Sequence, residues 1–316
     1  MNQIAAFQDV SPVIDTLCTH SGRFHADDLL TYGVLSTLHP HAILMRTRDA
    51  ALIDALEGRT IIFDVGSVHD ASRGRFDHHQ PGRSLRADGV PYSSLGLVWR
   101  AHGRDFLAAA LPEAGPDLEA LHAQAQDGFV RNIDACDNGA PGDEFAALRH
   151  PMSLSALLEN LAPDLETPDQ EAEDAAFRAA SKVAMTLFLA ALRKTLKLIR
   201  SEAIVQHAVE TRSHPNWIEL PRMMPYISTL LDMGADDIHY VVGPNQDEWH
   251  ISAVNTAHDS FDCRRPLPES WAGLRDEALR SITGVKDARF CHLARFIAVA
   301  DSRDGAMALL EQALAA

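Results

Sequence analysis

The junction between an apolar run and a polar cluster near the start of the chain constrains the fold most. Val13 to Cys18 is mostly apolar and predicts a buried strand. The segment 19–28 follows at once and holds two histidines and two aspartates. Apolar residues then recur at helical spacing from Leu29 to Leu38. A strand, a polar loop and a helix in this order are typical of a parallel α/β sheet, in which ligands bind outside the carboxyl ends of the strands.

Two further polar clusters follow predicted strands in the same way. Asp64 closes the apolar run that begins at Thr60, and residues 76–80 read Phe-Asp-His-His-Gln. Because the carboxyl ends of parallel strands share one edge of a sheet, we expect these groups to meet the first cluster. Together with Asp134 or Asp137, at the end of a predicted helix over 117–135, they predict one metal site.

The predicted ligands are imidazoles and carboxylates, without a cysteine thiolate. This set suits Mn²⁺ best, with Mg²⁺, Co²⁺ or Zn²⁺ as alternatives. Four or more carboxylates would repel one another strongly without a cation, and two ions ~3.5–4 Å apart can share a bridging carboxylate. We therefore expect two divalent ions. Asp28 is expected to serve the helix N-terminus instead, and His69 to be a loop histidine.

The charge of the chain limits its partners. The 316 residues carry a net charge of −16, and residues 101–180 hold 4 arginines against 16 acidic residues, a net of −12. Proteins that coat long nucleic acid normally present a basic face, so a short anionic substrate held by metal ions fits better.

Composition also predicts a location. No apolar run approaches the ~20 residues of a membrane span, and the first residues lack the basic and apolar regions of a signal peptide. Four widely spaced cysteines fit a reducing compartment. We therefore expect a cytoplasmic protein that does not bind membranes.

The remaining pattern predicts an α/β protein with two domains. We expect an N-terminal domain with a parallel sheet over 1–165, a connecting helix over 166–212 and a smaller α+β domain over 213–316. Pro168 begins the connecting helix. Acidic residues in its first turns and basic residues later match the helix dipole.

Three local predictions concern the elements between these landmarks. Apolar spacing predicts two helices, over 92–101 and 104–111. Residues 244–247 predict a hairpin turn, and Phe290 to Val299 predicts one strand. Phosphate-binding P-loop, dinucleotide-binding and serine-hydrolase motifs do not occur in the sequence, which argues against those classes of enzyme.

Several motifs spread over the chain form a recognisable set. Residues 19–28, 46–49, 64–66 and 75–80 are followed by 94–98, 134–139 and 266–277. This set resembles the melanocyte proliferating gene family, which belongs to the DHH phosphoesterases, and it covers nearly the whole chain. The resemblance implies an N-terminal DHH-type domain and hydrolysis of phosphodiester bonds, as in a 3′-to-5′ RNA exonuclease.

The resemblance also implies roles for individual residues. Asp64 would bridge two ions, and hydroxide generated between them would attack phosphorus. His79 would face the substrate phosphate and, with Arg48, steady the developing charge, while Asp77 would orient the histidines. The implied metal ligands are His20, His25, Asp27, Asp64, His78 and Asp134, with Asp137 the alternative to Asp134.

Substrate contacts are predicted at both ends of the chain, at Arg46, Arg48, Arg265 and His292. Two arginines after the predicted strand Ala42 to Met45 could hold a phosphate. Alternatively, they belong to a turn that is exposed to solvent. In the family that this chain resembles, a histidine near the C-terminus is followed by Phe-Ile-Gly-Gly-His. This chain instead reads Phe-Ile-Ala-Val-Ala at 296–300. Because glycines let a backbone approach a ligand closely, we expect weaker capture of nucleic-acid ends.

Three functions are compatible with these residues. The first is a metal-dependent phosphodiesterase, a 3′-to-5′ exonuclease whose partner is a short RNA. The second applies the same chemistry to small phospho-compounds such as pyrophosphate or a short dinucleotide, which the acidic charge favours. The third is a non-catalytic, metal-stabilised binding protein. A homodimer is the assembly to test for.

Overall fold

The computed structural model describes residues 13–56, 58–163, 169–258 and 260–316. The chain divides into two compact units, Met1–Leu196 and Lys197–Ala316. One long helix, α7 (Gln170–Glu210), occupies the stretch where the sequence predicts a connecting helix. Its predicted first residue, Pro168, lies outside the described residues.

The described part of the first unit contains one sheet, with strand order β2-β1-β3-β5-β4. Four of these strands run parallel, and β4 pairs antiparallel with β5. The parallel sheet predicted for this domain is therefore confirmed, while His69 lies in β4 and not in a loop. The strands are β1 (Thr16–Thr19), β2 (Ile43–Arg46), β3 (Thr60–Phe63), β4 (His69–Asp70) and β5 (Arg75–Phe76).

Helices cover the sheet and supply the core of the first unit. Leu29, Leu30 and Leu35 are fully buried, and burying each leucine contributes roughly 1.5–3 kcal/mol. Trp99 packs edge-on against Phe188 of α7, with 5.4 Å between ring centroids. The other helices are α1 (Ala26–Leu38), α2 (Ala50–Ala55), α3 (Ser94–Ala110), α4 (Leu118–Ala125), α5 (Arg131–Asp137) and α6 (Leu154–Glu159).

The helix α3 is continuous where the sequence predicts two helices. Gly103 lies at the predicted break, and a Cβ there would come within 2.9 Å of His122 Nε2. The glycine therefore allows α3 and α4 to pack closely, and this tertiary contact overrides its low helix propensity.

By length and composition alone, α7 contains a stretch that could cross a membrane, although no such stretch is predicted from the apolar runs of the sequence. The same test is passed by the core helix of a soluble protein. Phe177, Ala184 and Phe188 of α7 are fully buried in the first unit. This face of α7 is thus part of a protein core.

The second unit is an α+β structure with the sheet order β6-β7-β8-β10-β9 in its described residues. β6 is parallel to β7, and the other neighbours are antiparallel. The predicted hairpin is present, with a turn at Gln246 and Asp247. The elements are β6 (Trp217–Glu219), α8 (Ile227–Asp232), β7 (Tyr240–Asn245), β8 (Glu248–Ala253), α9 (Asp276–Thr283), β9 (Ala288–Cys291), β10 (Ile297–Ala300) and α10 (Arg303–Ala315).

The single strand predicted over Phe290 to Val299 is wrong, because the chain turns back between β9 and β10. Arg295 adopts a left-handed backbone, φ 60°, in that turn. Such a residue gives no turn signal in sequence. In β10, Ala298 and Ala300 are fully buried in the core of the unit. Histidine at 300 would therefore have to enter a hydrophobic core, so the alanines are part of the local packing.

Candidate metal centre

The ends of three parallel strands bring the predicted ligands together. His20 follows β1, Asp64 follows β3, and His78 comes two residues after β5. Asp64 Oδ2 lies 3.1 Å from His20 Nε2, and Asp64 Oδ1 lies 3.0 Å from His78 Nε2. One carboxylate is thus shared between two imidazoles, at the edge of the sheet where the sequence predicts the site.

The backbone of Asp64 explains how its carboxylate reaches both histidines. Its φ is 55°, a left-handed conformation that Asp and Asn adopt more readily than most residues. The Asp64 amide donates to the Phe76 carbonyl at 3.2 Å, which fixes the turn against the neighbouring strand. This tight exit from β3 is consistent with the glycine at position 66.

The first turn of α1 supplies two more carboxylates. Asp28 Oδ1 accepts from the His25 amide at 2.9 Å, as expected for a carboxylate at a helix N-terminus. Its Oδ2 also lies 3.2 Å from His20 Nε2. Asp27 is fully buried, and Ser94 Oγ donates to its Oδ2 at 2.8 Å.

Asp77 holds the two adjacent histidines in place. Its Oδ1 accepts from the amides of His78, at 2.7 Å, and His79, at 3.2 Å. The same oxygen lies 2.7 Å from His79 Nδ1, and Oδ2 accepts from the Ser67 amide. Asp77 is buried, whereas the His79 side chain is 58% exposed. Asp77 thus contacts both histidines, and its role in orienting them stays a prediction.

The structure brings Asp137, not Asp134, into the cluster. Asp137 is the last residue of α5, and its Oδ2 lies 3.4 Å from His78 Nε2. Asp134 is fully buried one turn earlier. It accepts from the Ser93 amide at 3.0 Å, from Ser93 Oγ at 2.8 Å and from Arg86 Nη1 at 2.7 Å. Its carboxylate is thus engaged away from the other predicted ligands.

Asp134 therefore fastens the start of α3 to α5. Ser93 precedes Ser94, whose hydroxyl holds Asp27, while α5 carries Asp137. The one carboxylate thus connects α3, whose Ser94 holds the candidate ligand Asp27, to α5, which carries the candidate ligand Asp137. Gly96 makes the contact sterically possible, because a Cβ there would lie 2.4 Å from Asp134 Oδ1.

Gly96→Ala is expected to separate α3 from α5 and lower the stability by about 1–3 kcal/mol, as overpacking of a close contact does. Gly128→Ala is the matched control, because a Cβ at 128 meets no described atom within 4 Å. Urea unfolding and Mn²⁺ titration of both variants would test this. Equal stability and equal metal affinity in the two would contradict the role assigned to this contact.

The two arginines after β2 have different surroundings. Arg46 is buried: its Nε donates to the His20 carbonyl at 3.1 Å and its Nη2 to the Gly22 carbonyl at 2.6 Å. Arg48 lines the cavity over the cluster, with Nη2 3.0 Å from His20 Nδ1. The expectation that both arginines hold a phosphate is not supported for Arg46, whose charge is used inside the fold.

The donor set fits divalent cations. Asp27 Oδ1 and Asp137 Oδ2 are buried and make no hydrogen bond with any described residue. Buried polar atoms are normally paired, so such atoms call for an explanation. Three overlapping sets of described residues place their ligand atoms within 4.8 Å of one another: His20, His25 and Asp64; His25, Asp27 and Asp137; Asp64, Asp77, His78 and His79.

The electrostatics show how closely the carboxylates are crowded. Burial, with the charges of Asp64 and Asp28, raises the pKa of Asp27 to about 7. Burial and the Asp27 carboxylate raise the pKa of Asp137 well above its usual range. The pKa of Asp64 is instead lowered, because hydrogen bonds from His20 and His78 outweigh the effect of burial. A cation would remove the need for protons on the first two.

A cavity of about 370 Å³ opens onto the cluster. Several polar residues that line it were not predicted. Arg83 lies in a predicted loop, and its Nη1 donates to Asn138 Oδ1 at 2.8 Å. These roles depend on tertiary packing, so no local pattern marks them. The missed lining residues are Arg83, Asn138, Ser155 and Glu159.

Arg265 and His292 belong to the second unit. Arg265 Nη2 donates to the Leu314 carbonyl at 3.0 Å. The His292 ring lies 4.3 Å from the Phe296 ring, centroid to centroid. Their expected contacts with substrate remain predictions.

Comparison with known proteins identifies the family of this chain. The MYG1_exonuc family model, described as "Uncharacterised protein family (UPF0160)", matches residues 16–314. The MYG1 exonuclease of Homo sapiens is 33% identical over 94% of this chain and 85% of its own length. The MYG1 protein of Dictyostelium discoideum is 31% identical over 92% and 94%.

A solved structure, the pGpG-specific phosphodiesterase PggH from Vibrio cholerae, aligns over 96% of this chain and 99% of that chain. The identity is 15% and the TM-score 0.26, so this likeness is distant. Membership rests on the family model and the sequence relatives, and it confirms the resemblance found in the sequence. The chain belongs to the MYG1 exonuclease family.

Proposed function

We propose that this chain is a metal-dependent hydrolase of phosphodiester bonds that acts as a 3′-to-5′ RNA exonuclease with two divalent ions. One observation carries the proposal: Asp64 presents one oxygen to His20 and the other to His78, about 3 Å from each Nε2. A carboxylate shared in this way suits two ions. The names of the human and rat relatives, both MYG1 exonuclease, support the class of reaction.

The chain offers a ligand set without sulfur. Imidazole and carboxylate together favour Mn²⁺, with Mg²⁺, Co²⁺ or Zn²⁺ as alternatives. When bound, two such ions supply hydroxide at neutral pH and neutralise charge on phosphoryl oxygens. The residues that would hold them are His20, His25, Asp27, Asp64, His78 and Asp137.

His79 is the group best placed to act on the substrate itself. Its Nδ1 is held by Asp77 at 2.7 Å, and that hydrogen bond raises the pKa of His79. The imidazolium can therefore donate from Nε2 to a phosphoryl or leaving oxygen. Arg48, anchored by its Nε on the Ser21 carbonyl at 3.0 Å, adds positive charge to the same cavity.

The variants His78→Ala and His79→Ala should differ in the metal that they retain. The first removes a buried ligand and is expected to lower both metal content and activity. The second should keep the metal and lower kcat by ~10²–10³, as loss of one charge-stabilising donor often does. Metal analysis after desalting, together with steady-state kinetics, would decide. Equal metal loss in both variants would show that His79 is a ligand as well.

A second candidate is hydrolysis of small phospho-compounds, such as pyrophosphate or a short dinucleotide. The net charge of −16 and the internal use of Arg46 favour it, because a net negative protein attracts a long polyanion less and Arg46 is not free to bind one. A panel with Mn²⁺ should include a 5′-labelled oligoribonucleotide, the same strand blocked at its 3′ end, a dinucleotide and pyrophosphate. Stepwise shortening of the first strand, and protection of the second, would support the exonuclease. Inactivity on all four would favour a non-catalytic, metal-stabilised protein.

A further inference from the structure

A second, smaller cavity of about 160 Å³ adjoins the metal centre within the first unit. It shares three lining residues with the larger cavity: Ile133, Cys136 and Ser155. The two spaces are therefore neighbours around the same stretch of α5, the helix that ends at Asp137. This adjacency makes the smaller cavity a candidate site for another group of a substrate whose phosphate lies in the larger one.

The smaller cavity has different walls from the metal centre. Phe129, Ile133, Leu148 and Leu154 give it apolar walls. Hydrogen-bonding groups come from Asn132 and Ser155 at its lining. Its volume lies below the ~300–1,000 Å³ of pockets that hold drug-sized ligands. It suits one flat ring system that carries polar edges.

The local backbone points to function as well. Phe129 lies in a π-helical turn, Gln126–Val130, between α4 and α5. Such turns are rare and occur frequently at functional sites. Phe129 also packs against Phe188, with 4.7 Å between ring centroids, so the aromatic ring is held in place.

We infer that this cavity is a subsite for the nucleobase attached to the reacting phosphate. The inference rests on the proposed function and narrows it to nucleotide substrates. Aromatic and apolar walls stack a base, and an amide or hydroxyl can meet its polar edge. Pyrophosphate offers nothing that would fill an apolar cavity, so it would leave these walls in contact with water.

Binding to the Mn²⁺-loaded full chain tests the inference without catalysis. Adenosine 5′-monophosphate and ribose 5-phosphate share the phosphate and the sugar and differ in the base. Calorimetry should show tighter binding of the nucleotide by about 5- to 150-fold, the range that one stacked base contributes. Equal affinities, or no binding of the nucleotide to the loaded chain, would overturn the inference.

Two variants make the assignment specific. Leu154→Trp should fill the cavity and abolish the preference for the nucleotide. Leu157→Trp is the control on the same helix, at a position that is 44% exposed and outside the cavity lining, and should preserve the preference. Should Leu154→Trp fold poorly, Phe129→Leu keeps apolar packing against Phe188 but removes the stacking face. Retention of the full preference in each folded cavity variant would overturn the subsite.

The outcomes separate the subsite from the proposed function. If the nucleotide binds through its base but the loaded chain cleaves no phosphodiester in the panel, only the proposed reaction fails. If RNA is cleaved, but ribose 5-phosphate binds as well as the nucleotide, only the subsite fails.

Discussion

Asp64→Asn is expected to lower kcat/KM for a phosphodiester by at least ~10³, at or beyond the upper end of what one removed electrostatic contact costs. Asparagine tolerates the left-handed backbone found at 64 and nearly keeps the shape of the side chain. What it loses is the negative charge between His20 and His78. We therefore expect the variant to fold and to retain much less Mn²⁺ after desalting.

Asp54→Asn is the matched control, because Asp54 is an exposed aspartate of α2 outside the metal centre. It should keep the metal content and activity of the parent chain. Circular dichroism of both variants would verify folding. An Asp64→Asn protein that binds as much metal as the control would show that the carboxylate does not bridge ions.

Metal-free protein is expected to lose stability as the pH rises from 6 to 8, and metal-loaded protein to lose much less. The pKa of Asp27 is raised to about 7, so its stabilising contribution is complete below an unfolded value near 4 and is lost as the pH rises through 7. Against the effect of burial, Asp28 and Asp64 raise the pKa of His20 to about 10. The contribution of His20 to the stability of the folded protein therefore decreases from pH 6.5 upward. Both shifts act in the same direction over this window.

Thermal unfolding of chelator-treated and Mn²⁺-loaded samples at pH 6, 7 and 8 would measure the effect. At about 1.36 kcal/mol per pKa unit, the two groups correspond to a loss on the order of 2–3 kcal/mol between pH 6 and 8. The lowered pKa of Asp64 does not oppose this, since its effect falls below pH 4. If the difference in unfolding temperature between Mn²⁺-loaded and chelator-treated protein does not increase with pH, the crowding inferred for the carboxylates would be contradicted.

Much of the site could be predicted because it depends on strand ends. Apolar runs before His20 and Asp64 predict buried parallel strands, and the carboxyl ends of such strands share an edge of the sheet. The contacts of Asp77 could also be predicted, since a buried aspartate can accept hydrogen bonds from the two amides that follow it. The choice between Asp134 and Asp137 could not be predicted, because both lie on one helical turn and only packing against α3 distinguishes them.

Other features depended on contacts between distant parts of the chain. The π-helical turn at 126–130 has no periodic signal of its own, so the cavity beside Phe129 could not be predicted. The turn between β9 and β10 is built by Arg295, which is not a turn-forming residue type. Arg46 looked like a phosphate contact because sequence shows a charge but not its burial.

The burial of Arg46 limits the substitutions that this chain can accept near the metal centre. Its Nη1 lies 3.9 Å from Glu173 and 3.7 Å from Asp174, in the first turns of α7, and its guanidinium carbon is 4.6 Å from the Phe177 ring centroid. The same guanidinium holds the carbonyls of His20 and Gly22. Removing one partner of a buried charge leaves the other unpaired at a large cost. Mutational drift at these positions is therefore coupled, and the start of a helix 150 residues away in sequence restricts which substitutions the loop carrying His20 can accept.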